Sequence, residues 1–220
     1  MSDSPLSCLE IGALREEAEL CVILMHGLGA DGHDFEDVAS GFSEAALPDK
    51  WRFVLPHAPQ IPVTINMGMT MPAWYDILDM SQPREVDWGT VEQSQRSIET
   101  LLDNECASRI ILAGFSQGAA MALHVGLRQQ ASIAGILAMS GYLLEGDAHP
   151  CPSKAGDFPI GVFHGSDDPV VPLVAAEHAV SMLQTSGFET TFKVYAEVEH
   201  SLCDEEIRDV FEWLSGISQP

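Results

Sequence analysis

The segment 110–123 constrains the fold of this chain more strongly than any other part of the sequence. It begins with a short apolar run, continues through Gly-Phe-Ser-Gln-Gly at 114–118 and ends in a stretch rich in small residues. The apolar run is typical of a buried strand, and the alanines that follow favour a helix. A Gly-x-Ser-x-Gly sequence in that context is a nucleophile elbow, a sharp turn that holds a serine hydroxyl above the end of a sheet. The sequence therefore predicts an α/β fold in which Ser116 is a nucleophile.

Two later segments supply the base that such a serine needs and the carboxylate that orients the base. One is Gly-Ser-Asp-Asp-Pro at 165–169, which follows an apolar run, and the other ends in His200. Serine, then aspartate, then histidine is the chain order of α/β-hydrolases. We assign the acid to Asp168 because it directly precedes a proline, which biases it toward extended backbone. Asp167 is the alternative, and we expect it to brace the loop. His200 is then the general base.

A glycine-rich turn near the N-terminus completes the predicted site. The apolar run 21–25 is typical of a buried parallel strand, and it leads into His-Gly-Leu-Gly at 26–29. Glycines allow backbone to approach a reacting carbonyl closely. We predict that the backbone N–H groups of Leu28 and Gln117 form an oxyanion hole. A phosphate-binding loop is disfavoured, because neither Gly-Lys-Ser/Thr nor Gly-x-Gly-x-x-Gly is present. An ordinary tight turn between strand and helix is the remaining alternative.

Apolar runs alternate with amphipathic stretches along the whole chain, which predicts a single α/β domain over 1–220. The predicted strands lie near 7–12, 21–26, 52–55, 109–113, 135–140, 160–164 and 190–195. The predicted helices cover 90–104, 117–129, 172–186 and about 204–216. Thr90 and Gln93 have capping-box spacing at the start of the first of these helices.

The formal net charge of −23 excludes one large class of partners. With 10 Lys and Arg against 33 Asp and Glu, the chain has no basic patch to displace counterions from nucleic acid. Stable anchoring to an anionic membrane is disfavoured for the same reason. Five cysteines without Cys-x-x-Cys spacing argue against a disulfide framework or a zinc site, and residues 1–5 show no signal-peptide pattern. We therefore expect a cytoplasmic protein.

Six short motifs occur in an order that resembles the phospholipase/carboxylesterase family. They lie at 26–30, 55–59, 71–77, 114–118, 164–172 and 199–200. The resemblance covers about residues 20–215, and Met-Pro-Ala-Trp-Tyr-Asp is more similar to the bacterial carboxylesterase branch. It implies an α/β-hydrolase fold, with a central, mostly parallel sheet flanked by helices and no large cap domain. It also implies a catalytic triad at the matching Ser116, Asp168 and His200.

The function implied by this resemblance is hydrolysis of small carboxylic esters with short to medium acyl chains, without a metal or cofactor. An acyl-protein thioesterase or a lysophospholipase is the alternative, since acylated proteins and lysolipids would be cleaved by the same triad. An inactive hydrolase fold that only binds a ligand is a third hypothesis, against which the intact nucleophile, acid and base argue. The resemblance is compatible with a homodimer, although no sequence feature requires one.

The segment 61–82 is the predicted site of substrate selection. It contains four methionines together with Trp74 and Tyr75, and it shows no clear period. Methionine adapts to irregular apolar surfaces, so we predict a loop that lines an acyl pocket, with Met71 and Trp74 as substrate-binding residues. Ordinary packing of a long excursion against the sheet is the alternative.

Overall fold

The apolar runs of the sequence form a central sheet in the computed structural model, which describes residues 6–45, 50–81, 83–146 and 148–218. The segment 1–5, on which the expectation of no signal peptide rests, lies outside the described residues. The strands within the described ranges are β1 (Cys8–Gly12), β2 (Leu20–Met25), β3 (Trp51–Pro56), β4 (Gln60–Val63), β5 (Met69–Pro72), β6 (Ile77–Asp79), β7 (Glu85–Val86), β8 (Arg109–Phe115), β9 (Gly135–Met139), β10 (Ile160–Gly165) and β11 (Thr190–Tyr195). The α-helices are α1 (Glu36–Ala45), α2 (Trp88–Asn104), α3 (Gln117–Gly126), α4 (Leu173–Thr185) and α5 (Asp204–Ser218), and short 3-10 helices cover Gly32–Phe35 and Thr64–Asn66.

Seven strands form the central sheet in the order β1-β3-β2-β8-β9-β10-β11. Strand β1 pairs antiparallel with β3, and all other neighbours in the sheet are parallel. Parallel neighbours need crossover connections, and helices supply them. The carboxyl ends of β2, β8, β10 and β11 therefore meet at one edge of the sheet, which is where ligands bind in open α/β sheets. The predicted mostly parallel sheet flanked by helices is confirmed.

Helices cover both faces of this sheet, and alternate side chains of each strand pack against opposite layers. On β2, Cys21 and Ile23 belong to the core on the side of α2, α3 and α4, whereas Val22 and Leu24 belong to the core on the side of α1 and α5. All four side chains are buried. A strand that is buried on both faces has a continuous apolar sequence, and β2 could therefore be predicted from the sequence.

The structure differs from the sequence-based prediction at helices α1 and α2. Helix α1 was not predicted, because only Ala39 and Phe42 of its ten residues are buried and the apolar pattern is weak. Helix α2 begins at Trp88 rather than at 90, and its N-cap is Asp87, whose side chain accepts a hydrogen bond from the N–H of Gly89. The predicted capping box at Thr90 is therefore wrong, and the Thr90 hydroxyl instead donates to the Asp87 carbonyl.

The segment predicted as a loop over 61–82 contains regular structure. Strands β4 and β5 form an antiparallel hairpin, and β6 pairs with β7 in a second one. Prolines at 62 and 72 and methionines at alternate positions hide the strand pattern in the sequence. The hairpin tip at Met67 and Gly68 has left-handed backbone, with φ of 58° and 71°.

Within the described residues, no helix has the length and apolarity needed to cross a lipid bilayer.

Glu206, in the first turn of α5, is a fully buried acid. Neither of its carboxyl oxygens has a hydrogen-bond partner among the described residues. Burial raises the pKa of Glu206 to about 8, and the negative charge of Asp209 is the second, smaller cause of this shift. An ionised carboxylate in such a position would be costly, so the group is held protonated at neutral pH.

We predict that Glu206→Gln removes a pH dependence of stability. The Glu206 carboxyl keeps its proton up to about pH 8 in the folded chain, compared with 4.5 for an ordinary glutamate. Its contribution to stability is therefore complete below pH 4.5 and is lost as the pH rises through 8. Between pH 5 and pH 9, the melting temperature of the variant should rise relative to wild type by at least about 3 °C.

The matched control for this experiment is Glu212→Gln, because Glu212 is exposed on the same helix. The melting-temperature difference between this control and wild type should stay constant across the same pH range. A difference for Glu206→Gln that is equally flat would contradict a protonated, buried Glu206.

Candidate active site

Ser116 lies at the turn between β8 and α3, at the carboxyl edge of the sheet. Its backbone has φ of 56° and ψ of −117°, a region that non-glycine residues rarely adopt. The Ser116 N–H donates to the Met139 carbonyl at the end of β9, at 2.9 Å, and fixes the turn to the neighbouring strand. This strained turn holds the side chain off the path of both β8 and α3, as a nucleophile elbow requires.

Glycines on either side of Ser116 allow the turn to be this sharp. A Cβ atom at Gly114 would lie 2.3 Å from the carbonyl carbon of Gly118. A Cβ atom at Gly118 would lie 2.2 Å from the Met25 carbonyl oxygen and 2.6 Å from that of His26. All of these neighbours are backbone atoms, which cannot rotate away. The elbow is therefore packed directly onto the end of β2, where the glycine-rich turn begins.

The three predicted triad residues lie within hydrogen-bonding distance of one another. His200 Nε2 is 2.9 Å from Ser116 Oγ, and His200 Nδ1 is 2.6 Å from Asp168 Oδ2. A carboxylate only accepts, so Nδ1 carries the proton and Nε2 is free to accept the serine hydroxyl proton. The His200 ring also packs on Phe115, with ring centroids 4.8 Å apart. This arrangement can withdraw a proton from Ser116 and hold the resulting imidazolium beside a carboxylate.

The structure brings Asp168, rather than Asp167, to the histidine. Asp168 is 5% exposed, and its Oδ1 accepts hydrogen bonds from the N–H groups of Val170 and Val171, both at 2.8 Å. Its other oxygen therefore faces His200 in a fixed orientation. Asp167 points elsewhere, and its carboxylate accepts from the Ser166 hydroxyl at 2.6 Å. Asp167 thus braces the loop, in agreement with the sequence-based expectation.

A second histidine, His164 at the end of β10, lies beneath the acid loop and is fully buried. Its Nε2 donates to the Val171 carbonyl at 2.8 Å and lies 3.5 Å from Asp168 Oδ2. Burial lowers the pKa of His164 and outweighs the opposing effects of this hydrogen bond and of Asp168. His164 is therefore a neutral donor that fixes the acid loop, and no sequence signal separated this role from that of a solvated loop histidine.

The glycine-rich turn lies directly beside the nucleophile. A Cβ atom at Gly27 would be 3.5 Å from Ser116 Cβ. His26 holds the turn from below, because its Nε2 accepts from the Ala58 N–H and its Nδ1 donates to the Gly27 carbonyl. Among the described residues, the N–H groups of Leu28 and Gln117 have no backbone acceptor, whereas the next one, Gly29 N–H, donates to Pro72. Two free donors beside the nucleophile fit an oxyanion hole.

The Gln117 side chain has a role that sequence reasoning missed. It is buried, its Oε1 accepts from the Trp74 N–H at 2.8 Å and its Nε2 donates to the Tyr75 carbonyl at 2.8 Å. The residue after the nucleophile thus fixes the backbone of the 73–75 segment to the elbow. A glutamine next to the predicted nucleophile was the only signal for this contact, and it does not identify the partner.

Trp74 does not line an open pocket, contrary to the sequence-based expectation. Its side chain is 0% exposed, its Nε1 donates to the His26 carbonyl at 2.8 Å, and its ring packs on that of His26. The alternative of ordinary packing applies here, because the indole supports the glycine-rich turn from within the core. Met71 is partly buried beside the same turn, 3.9 Å from an added Cβ at Gly29. Its contact with substrate stays a prediction.

We predict that Gly118→Ala is strongly destabilising, whereas Gly41→Ala is not. The added methyl group at 118 meets two backbone carbonyls, so strands or helix must shift, at about 3 kcal/mol or more. Gly41 lies within α1, and apart from its chain neighbours and the backbone of its own helix no atom lies within 4 Å of the added Cβ, so alanine there should stabilise by about 0.5–1 kcal/mol. Urea unfolding of both variants measures the two changes, and equal stabilities would contradict the close approach at the elbow.

Comparisons with known proteins show which family this chain is similar to. The phospholipase/carboxylesterase family matches residues 6–218. A curated relative, acyl-protein thioesterase 1 of Gibberella zeae, is 36% identical over 207 residues, covering 88% of each chain. Acyl-protein thioesterase 1 of Neurospora crassa is 36% identical over 208 residues, covering 88% of this chain and 85% of the relative. The solved structure of Arabidopsis thaliana SOBER1 is 25% identical, with a TM-score of 0.82 and coverage of 92% of this chain and 100% of that one.

The family match spans the elbow, the acid loop and the histidine loop, and the curated relatives align over the same length. The order of these three segments along the chain and their meeting point at the carboxyl edge of the sheet are those of an α/β-hydrolase. The chain therefore belongs to the phospholipase/carboxylesterase family of α/β-hydrolases.

Proposed function

We propose that this protein is a serine hydrolase that cleaves acyl esters and thioesters through an acyl-enzyme on Ser116. The observation that carries the proposal is the hydrogen-bonded chain from Asp168 through His200 to Ser116, with distances of 2.6 and 2.9 Å. It lies beside two backbone donors that have no backbone acceptor among the described residues. Nucleophile, base, orienting acid and oxyanion donors are the set that acyl transfer requires.

The first half-reaction would acylate the serine. Ser116 Oγ attacks the carbonyl carbon while its proton passes to His200 Nε2, and the carbonyl π electrons move to oxygen. Leu28 and Gln117 N–H groups would stabilise that oxyanion, each by about 3 kcal/mol. Collapse of the tetrahedral intermediate breaks the bond to the alcohol or thiol. The imidazolium of His200 returns its proton to this leaving group.

The second half-reaction would repeat the same steps with water as nucleophile. His200 Nε2 takes a proton from water, and the hydroxide formed attacks the acyl-enzyme carbonyl. The intermediate expels Ser116 Oγ, which regains its proton from His200, and the carboxylic acid leaves as product. Asp168 keeps its negative charge throughout and stabilises the imidazolium in each half-reaction.

The curated relatives favour a thioester as the physiological substrate class. Both are named acyl-protein thioesterase 1, and each aligns over most of this chain. Short- to medium-chain carboxylic esters are the second candidate, since the same groups act on both bonds and the family includes carboxylesterases. The cytoplasmic location and a homodimer stay predictions of the sequence.

A matched pair of substrates tests this proposal. We expect turnover of an S-acylated cysteine peptide and of the O-acylated serine peptide with the same sequence and acyl chain, with the higher kcat/KM on the thioester. Assays with p-nitrophenyl esters from acetate to palmitate then define the acyl-length preference. Ser116→Ala should lower each rate by about 10³-fold or more. Turnover that survives this substitution would place the chemistry elsewhere.

The two adjacent aspartates provide an internal control for the acid. Asp168→Asn should lower kcat on any accepted ester by about 10³–10⁴-fold, because the amide favours the wrong histidine tautomer. Asp167→Asn removes an acceptor for Ser166 only, so kcat should stay within about threefold of wild type. Comparable losses in the two variants, measured with both proteins folded by circular dichroism, would contradict the assignment.

A further inference from the structure

A second serine with unusual backbone lies beside the nucleophile elbow. Ser140 directly follows β9, and its φ of 50° is close to the 56° of Ser116. Its N–H donates to the Phe163 carbonyl on β10 at 2.8 Å, in the same way as the Ser116 N–H donates to the Met139 carbonyl on β9. Two serines with similar backbone φ angles therefore join the ends of three neighbouring strands, β8, β9 and β10.

The conformation of Ser140 is costly in two respects. Glycine adopts a positive φ without strain, whereas other residues rarely do. Ser140 is also fully buried, and its Oγ has no hydrogen-bond partner among the described residues. A glycine at this position would remove both the strain and the unpaired hydroxyl group. Strained residues with polar side chains are typical of functional sites, so the Ser140 hydroxyl is a candidate for a function in the nearby triad.

The matching unpaired atom belongs to His164 on the neighbouring strand. Met139 and Phe163 are partners in the parallel register, so Ser140 and His164 are the next residues on β9 and β10. His164 Nε2 donates to the Val171 carbonyl at 2.8 Å, whereas its Nδ1 has no partner within the described chain. Because Nε2 carries the ring proton, Nδ1 is an acceptor. A buried donor and a buried acceptor, both unpaired, thus come from adjacent strand ends.

We propose that Ser140 is a positioning residue for the acid of the triad, and that its hydroxyl donates to His164 Nδ1, directly or through one buried water molecule. This inference rests on the function proposed above. The hydrogen bond that one imidazole nitrogen makes sets which nitrogen carries the proton. A donor at Nδ1 therefore keeps the His164 proton on Nε2, where it is needed for the bond to the Val171 carbonyl. The other tautomer would place a lone pair against that carbonyl oxygen.

The position of the acid depends on the proton of His164. Val171 accepts from His164 through its carbonyl, and its N–H donates to Asp168 Oδ1 at 2.8 Å. Asp168 Oδ2 lies 3.5 Å from His164 Nε2 and 2.6 Å from His200 Nδ1. A lone pair on His164 Nε2 would repel both the carbonyl and the carboxylate, and Asp168 would shift relative to His200. Ser140 thus acts on the triad through His164.

A double-mutant cycle tests whether Ser140 acts through His164. Ser140→Ala and His164→Phe should each lower kcat on an accepted ester by about tenfold or more, because a small displacement of the acid is costly to catalysis. KM should stay within about twofold of wild type, since the change affects the chemical step. The double variant should lie no more than about threefold below His164→Phe, because the hydroxyl then has no ring to act on. Losses that multiply would overturn the proposal.

Ser140→Gly separates a positioning role from a purely structural one. Glycine adopts a φ of 50° without strain, so this variant should have a melting temperature at least as high as that of Ser140→Ala. Its kcat should nevertheless be as low, because both variants lack the hydroxyl. Ser140→Cys keeps a weak donor and should recover part of the rate. Rates that follow the melting temperatures instead, with Ser140→Gly close to wild type, would contradict a positioning role.

The ring nitrogens of His164 give a readout that does not depend on catalysis. In NMR spectra of protein with ¹⁵N-labelled histidine, the His164 signals are those that His164→Phe lacks. Ser140→Ala should move the Nδ1 signal toward that of an imidazole nitrogen without a donor. Ser97→Ala is the matched control, because its hydroxyl binds only a carbonyl of its own helix, α2, and it should leave this signal unchanged.

An Nδ1 signal that is identical in wild type and Ser140→Ala would overturn the proposed hydrogen bond. A kcat of Ser140→Ala equal to that of wild type would overturn the positioning role. Failure of the proposed function has a different signature. In that case the wild-type protein would hydrolyse no ester or thioester, while the response of the Nδ1 signal to Ser140→Ala would still support the pairing of Ser140 with His164.

Discussion

The close approach between the elbow and the end of β2 is the constraint on which the site depends. Gly118 leaves no room for a side chain, because the carbonyls of Met25 and His26 lie where its Cβ would be. The same contact fixes the distance between the nucleophile and the turn that carries Leu28. Nucleophile and oxyanion donors are therefore positioned by one backbone contact, and a change at 118 would disturb both together.

The acid and the base are positioned in the same way, by backbone contacts between neighbouring loops. A Cβ at Gly165 would lie 2.2 Å from the Val198 carbonyl, and the Asp167 N–H donates to that carbonyl at 3.0 Å. The loop after β10 and the loop after β11 are thus held together directly beneath Asp168 and His200. This packing holds the two residues at the 2.6 Å distance of their hydrogen bond.

The sequence predicted those parts of the fold in which a residue pattern has a single structural explanation. Continuous apolar runs gave the central strands to within about two residues, and the glycines around Ser116 indicated the elbow. The preference for Asp168 over Asp167 agrees with the geometry because proline restricts the residue before it. The sequence does not show where a side chain points across the fold. Trp74 was therefore assigned to a pocket, although the structure buries it against His26.

The histidines around the site show the same limit of sequence-based prediction, because burial gives residues of one type different roles. His26 and His164 are fully buried, desolvation lowers the pKa of each, and each holds a loop as a neutral ring. Both ring nitrogens of His26 are engaged with backbone groups. His200 differs because its two nitrogens face a hydroxyl and a carboxylate. Only that ring can accept a proton from the nucleophile and find a negative charge beside the cation it becomes. Proton transfer is thus confined to His200, because it is the one of these three histidines that lies within hydrogen-bonding distance of the Ser116 hydroxyl.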